Sequence, residues 1–143
     1  MNNATDRKTV RVLLIEDDPA DAEILTEALN EVNGASFRVT AVSRVADALT
    51  RLQGGRDFDV YLVDLKLPDA EGLDALDMVR KVVPDRPIVV MTGFDDDALA
   101  CEAEHRGAVG YLVKGRVSVP YIRQVLLSAL EHRPQRVRSA VGT

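Results

Sequence analysis

Four short apolar runs each deliver polar groups at their carboxyl ends. Val12-Leu13-Leu14-Ile15 runs into Glu16-Asp17-Asp18, and Val60-Tyr61-Leu62-Val63 into a single Asp64. Ile88-Val89-Val90-Met91 ends in Thr92-Gly93, and Tyr111-Leu112-Val113 ends in Lys114. Open α/β sheets place their chemistry at such strand ends. Glu16, Asp17 and Asp64 in one crevice would crowd like charges together, and such groups either raise one another's proton affinity or recruit a cation. A hard cation with oxygen ligands resolves the repulsion. Magnesium is the expected ion, with manganese as the alternative. Asp17 is then a direct ligand, Glu16 a partly water-mediated one, and the backbone carbonyl of Lys66 a further contact in the loop after Asp64.

Asp64 is the candidate nucleophile. It stands alone at a strand end and is ionised at neutral pH, so it needs no internal base. Carboxylates form acyl phosphates in enzymes. Phosphoryl transfer asks mainly for positioning and for neutralisation of the equatorial oxygens. A cation supplies one neutralising partner, Lys114 a second, and the Thr92 hydroxyl with the neighbouring amides a third. Taken singly, each residue has a plainer reading. A strand-end aspartate is commonly a helix cap, which suits Asp18 directly before Pro19, and a lone lysine is commonly solvated. The combination on four strand ends is what argues for chemistry.

To bring these residues together, the chain needs a sheet. Val10 to Ile15 reads as a first strand, apolar on both faces and therefore central in a parallel sheet. Asp18-Pro19 starts a helix carrying Leu25, Ala28, Leu29 and Val32, closed by Asn33-Gly34. Phe37 to Val42 is a second strand whose polar alternation suits an edge. Ser43 is the expected cap of a helix carrying Val45, Ala48, Leu49 and Leu52, ended by Gly54-Gly55. Asp59 to Val63 is the third strand, followed by a loop from Leu67 to Gly72 and a helix presenting Leu73, Leu76 and Val79. Ile88 to Met91 is the fourth strand. Asp95-Asp96-Asp97 precedes a helix to about Arg106, and those acids meet the positive end of its dipole. Gly110 to Val113 is the fifth strand, and a last helix from about Val119 to Arg133 carries Ile122, Val125, Leu126, Ala129 and Leu130. Five alternating strands and helices with short, right-handed connections make a doubly wound α/β fold with helices on both faces. The strand order 2-1-3-4-5 puts Asp17 and Asp64 side by side at the switch point.

Length and charge narrow the function classes. The 143 residues fit one domain, large enough to bury a core without disulfides. The one cysteine, Cys101, reads as a small buried hydrophobe. A net charge of −5 argues against direct nucleic-acid binding. No membrane span or signal peptide is visible, so a cytoplasmic protein is expected. Residues 1–9 are expected to be a flexible start, 10–133 the domain, and 134–143 a basic, flexible tail.

The pieces Val12 to Pro19, Asp64 to Gly72, Pro87 to Gly93, and Gly107-Ala108 with Gly110 to Lys114 resemble the receiver domain of bacterial two-component response regulators. The resemblance runs from about Val10 to Arg133. It implies a five-stranded (βα)5 fold of the flavodoxin and chemotaxis-Y type. It also implies magnesium-dependent movement of a phosphoryl group from a histidine kinase, or a histidine phosphotransfer protein, onto Asp64. By resemblance Glu16 and Asp17 are the acidic pair, Thr92 the switch hydroxyl, Lys114 the conserved-type lysine, and Tyr111 the aromatic that turns inward as Thr92 moves; ordinary edge-strand packing is the plainer reading of Tyr111. The implied output is a reshaped face of fourth helix, fifth strand and fifth helix, read by a protein partner, by a linked output domain of a longer parent, or by a second copy in a phosphorylation-dependent homodimer. One departure is visible. Lys114-Gly115 stands where the family often has lysine-proline, a variant resembling receivers that act alone or are attached to signalling enzymes. Two rival readings are a magnesium-dependent phosphohydrolase working through an aspartyl phosphate, and a flavodoxin-like interaction module that is not phosphorylated.

Overall fold

A computed structural model describes residues 9–30, 36–55, 57–116 and 118–131. Five parallel strands form its sheet: β1 (Thr9–Ile15), β2 (Ser36–Val42), β3 (Val60–Asp64), β4 (Ile88–Thr92) and β5 (Gly110–Val113). Their order is β2-β1-β3-β4-β5, the doubly wound arrangement expected from the alternating pattern. The helices are α1 (Pro19–Asn30), α2 (Val45–Gln53), α3 (Leu73–Val82), α4 (Asp97–His105) and α5 (Val119–Glu131).

Alternation along the strands divides the core into two. Leu13, Ile15, Tyr61, Val63 and Val90 face one way and pack on α2, α3 and α4 through Val45, Ala48, Leu76, Val79 and Ala103. Val12, Leu14, Leu62, Val89 and Met91 face the other way and pack on α1 and α5 through Leu25, Leu29, Ile122, Leu126 and Ala129. The central strands are therefore apolar throughout, because both of their faces are covered. Each fully buried leucine contributes roughly 1.5–3 kcal/mol. The register then sets the site. Ile15 pairs with Val63 and Asp64 with Met91, so the residues just past β1 and at the end of β3 emerge together at one edge.

Several local expectations change. Thr9 already belongs to β1 rather than to a flexible start. The third strand is shifted by one residue, so that Asp64 itself lies in the sheet and is buried. The stretch after it is not a plain loop: Lys66–Leu67 and Ala70–Glu71 form a small antiparallel ribbon turning at Pro68-Asp69. Ser43 does not cap α2. The Asp69 carboxylate reaches from that ribbon and accepts from the amides of Val45 and Ala46, at 3.0 Å each, so a charged acceptor takes the first free donors. Cys101 is exposed, because α4 turns Ala103 to the core and a residue two positions away faces out. In β2, Phe37 and Val42 are buried while Ala41 is exposed. The expected helix exit at Val32-Asn33-Gly34, the N-terminal residues 1–8 and the tail 134–143 lie outside the described residues. Among the described residues, no helix is long and apolar enough to cross a membrane.

Candidate functional site

The tight β1–α1 and β3–α3 connections aim their acids at one point. Asp18 caps α1, its Oδ1 accepting from Ala20 N at 2.9 Å and Asp21 N at 3.3 Å. That cap turns the chain sharply after Asp17 and leaves Glu16 and Asp17 above the sheet edge. Gly72, at φ 59°, lets the chain turn into α3, and its amide donates to the Leu65 carbonyl at 2.8 Å. This closes the ribbon back on the end of β3. Carboxylate oxygens of Glu16, Asp17 and Asp64 consequently lie within 4.8 Å of one another. Residues 48 positions apart are neighbours only because β1 and β3 are.

Burial differs sharply within this set. Glu16 and Asp64 are 3% and 2% exposed, whereas Asp17 is open to solvent. Asp64 Oδ1 accepts from the Lys66 amide at 3.0 Å, and its Oδ2 accepts from Lys114 Nζ at 3.0 Å. Lys114 Nζ also lies 2.8 Å from Glu16 Oε1, an ion-pair contact without the alignment of a hydrogen bond. The other Glu16 oxygen accepts from Asp18 N at 3.2 Å. Burial, reinforced by the adjoining Asp64 carboxylate, pushes the Glu16 carboxyl up to about 7, against the opposing pull of Lys114 and the Asp18 amide. Burial opposes the Lys114 ammonium, but Glu16, Asp64 and Asp21 outweigh it and hold its proton more tightly than usual.

The remaining strand ends complete the wall. Thr92 is buried, and its Oγ1 accepts from Phe94 N at 3.2 Å. The Lys114 amide donates to the Thr92 carbonyl at 2.8 Å, so the ends of β4 and β5 are fastened together. Tyr111 is only partly buried, and its hydroxyl donates to the Phe94 carbonyl at 3.0 Å. Its ring packs against the core cluster on the α2, α3 and α4 face while its hydroxyl is tied to the β4–α4 loop. Gly115 has φ 81°, a region closed to proline, whose ring holds φ near −65°. The departure at this position is a different loop path, not a neutral exchange. Arg116 from the same loop pairs with Asp95 across the mouth at 2.7 Å.

Glu16, Asp17, Asp64 and Lys114 are thus brought together, with Thr92 beside them at the end of β4, while Tyr111 stays at the rim. One residue was missed by the sequence reading. Asp21, in the first turn of α1, places Oδ2 3.2 Å from Lys114 Nζ. Its spacing was a usable signal, since an acid four residues after Asp17 and just inside a capped helix start must lie near the same strand end.

Three carboxylates around one ammonium leave excess negative charge in a partly buried crevice. That donor set fits a hard divalent cation, and Glu16, Asp17 and Asp64 are the residues able to hold one. Glu16 and Asp17 also border an open groove of about 620 Å³ beside α2, lined by Val42, Ser43, Asp47 and Arg51.

The family model for the response regulator receiver domain matches residues 12–131. This chain belongs to that family. Among its relatives, the sensor protein TorS of Escherichia coli is 33% identical over 132 residues, covering 92% of this chain and 14% of that protein. The two-component response regulator ARR2 of Arabidopsis thaliana is 32% identical over 106 residues, covering 73% of this chain and 15% of that protein. The receiver thus spans only a small part of these relatives. Two solved structures share the fold. The receiver domain of Francisella response regulator 1452 gives a TM-score of 0.74 at 22% identity, covering 85% of this chain and 97% of that one. The response regulator domain of Thermotoga maritima CheB gives 0.75 at 19% identity, covering 89% and 100%. A receiver fold whose sheet edge carries the cluster Glu16, Asp17 and Asp64 has the acidic arrangement typical of phospho-accepting response regulators.

Proposed function

We propose that this receiver takes a phosphoryl group onto Asp64 from the phosphohistidine of a histidine kinase or histidine phosphotransfer protein. Residues 10–133 form the signalling unit. The observation that carries the reading is the placement of Asp64: an almost fully buried carboxylate, bonded to Lys114 at 3.0 Å, with Glu16 and Asp17 alongside. In the transfer an Asp64 oxygen forms the new bond to phosphorus as the phosphorus–nitrogen bond breaks, and the histidine nitrogen keeps the electron pair. Lys114 lies where it can neutralise an equatorial oxygen, and Thr92, at the end of the neighbouring strand β4, offers its hydroxyl to a second. Magnesium, held by Glu16, Asp17, Asp64 and the Lys66 carbonyl, supplies the remaining charge neutralisation when bound; manganese has the same ligand chemistry.

Signal output follows from the same groups. A phosphoryl group on Asp64 adds charge and acceptor oxygens beside Thr92 and Lys114, drawing both toward it. Thr92 accepts from Phe94 N, and Tyr111 holds the Phe94 carbonyl, so displacement of Thr92 disturbs the seat of Tyr111. The face of α4, β5 and α5 then changes shape for a protein partner, a linked output domain or a second copy of the chain. A partner that prefers the changed face also favours phosphorylation, because coupling is reciprocal.

The test is intact mass after incubation with acetyl phosphate. Wild-type chain with magnesium should gain one phosphoryl group, and Asp64→Asn should gain none. An unlabelled wild type, under conditions that label another receiver, overturns the proposal. Catalytic release of phosphate without a detectable adduct would favour a phosphohydrolase. Sedimentation before and after labelling reads out a phosphorylation-dependent homodimer.

A further inference from the structure

Lys114 carries three N–H donors, and three carboxylate oxygens crowd them: Glu16 Oε1 at 2.8 Å, Asp64 Oδ2 at 3.0 Å and Asp21 Oδ2 at 3.2 Å. The three differ in what release would cost. The Glu16 and Asp64 side chains are 0% and 3% exposed, so neither can turn to water. Asp21 is 41% exposed and stands on the first turn of α1, where solvent can rehydrate it at once. Its backbone is held by the Asp18 cap, which fixes the side chain within reach of the ammonium. Asp21 also brings a further negative charge to a crevice that must admit an anionic phosphoryl group.

We propose that Asp21 competes with the incoming phosphoryl group for the Lys114 ammonium and thereby limits how readily Asp64 is phosphorylated. This rests on the phospho-accepting reading above. When the Asp64 oxygen bonds to phosphorus, a phosphoryl oxygen needs a donor from Lys114. The carboxylate that yields is the one that water can accept. Asp21 is a positioning residue: it acts through Lys114, holding the ammonium in the resting site and releasing it on phosphorylation.

The experiment uses the full chain and acetyl phosphate at saturating magnesium, following the rate of phosphoryl mass gain. The new bond joins phosphorus to Asp64 as acetate leaves with the electron pair of the broken phosphorus–oxygen bond. Asp21→Ala should label about threefold faster than wild type, the size expected for losing a half-exposed ion pair. Glu23→Gln, which removes a charge from the exposed side of α1, should label at the wild-type rate. Asp21→Glu, which keeps a carboxylate in reach, should restore the slow rate. Asp21→Asn should shift in the same direction as Ala and stands in for it if the helix start is weakened. Equal rates for Asp21→Ala and Glu23→Gln would overturn the proposal, as would slower labelling in Asp21→Ala. An unlabelled wild type would instead fail the phospho-accepting reading itself.

Discussion

At the amino-terminal edge of the sheet, Asp57 pairs with Arg86 at 2.6 Å, and the Arg11 amide donates to Asp59 at 2.8 Å, with water reaching every one of these side chains. At the carboxyl-terminal edge, Glu16 and Asp64 are buried with Asp17 alongside, and Lys114 is the one cation that Glu16, Asp64 and Asp21 share. Both edges collect acids, yet only one keeps them short of positive charge. An exposed acid with its own arginine is close to its lowest energy and has little left to offer a ligand. Buried acids sharing one ammonium remain undersatisfied, and that deficit is what a cation and then a phosphoryl group can relieve. The difference identifies a working site more surely than the presence of carboxylates does.

The comparison can be broken most forcefully at Lys114. Lys114→Met should slow labelling by acetyl phosphate about 100-fold, the usual loss when an electrostatic partner of the reacting group is removed. A variant labelling within severalfold of wild type would show that the ammonium is incidental.

The next effect is one of pH. Glu16 binds its proton up to about 7 in the folded chain but near 4.5 when unfolded, so between these values the native state holds more protons. Without divalent cation, stability should therefore fall as pH rises from 4.5 toward 7, by about 2 kcal/mol. Glu16→Gln, a mimic of the protonated form, should flatten that slope in urea denaturation. Magnesium should restore stability above pH 7, where Glu16 is free to ligate. A slope unchanged by the substitution would mean that some other group is responsible.

Asp69→Ala tests an acid near the site that has its own partners. Its carboxyl is held below the ordinary range: the Ala46 and Val45 amides outweigh the cost of its burial. Losing this cap should cost about 1 kcal/mol in chemical denaturation. The smallest effect belongs to the opposite edge. Arg86→Ala should change stability by no more than about 1 kcal/mol and leave labelling untouched. A large drop in labelling there would erase the distinction between the two ends.

Much of this was legible along the chain. The fifth strand runs from Gly110 to Val113 as its apolar run indicated, and Asp64, Thr92 and Lys114 lie at strand ends because each short apolar run stops where its strand leaves the sheet. Asp18 was readable as a cap from its place before Pro19. Asp69 was not, since its amide partners sit 24 and 23 residues away and no local pattern points to them. The exposure of Cys101 was equally hidden: residue type suggested burial, but helix phase on the sheet decided it.

The amino-acid sequence by itself determined the five sheet strands and five helices to within a residue or two, the order of those strands, and the gathering of Glu16, Asp17, Asp64, Thr92 and Lys114 at one edge. These follow from periodicity and connection length, which act over a few residues at a time. Tertiary structure alone decided how the charges are shared: Glu16 and Asp64 out of water, Asp21 half in it, and one ammonium among the three. Burial and distance set the strength of each of those interactions, and both come from packing between segments far apart in the chain.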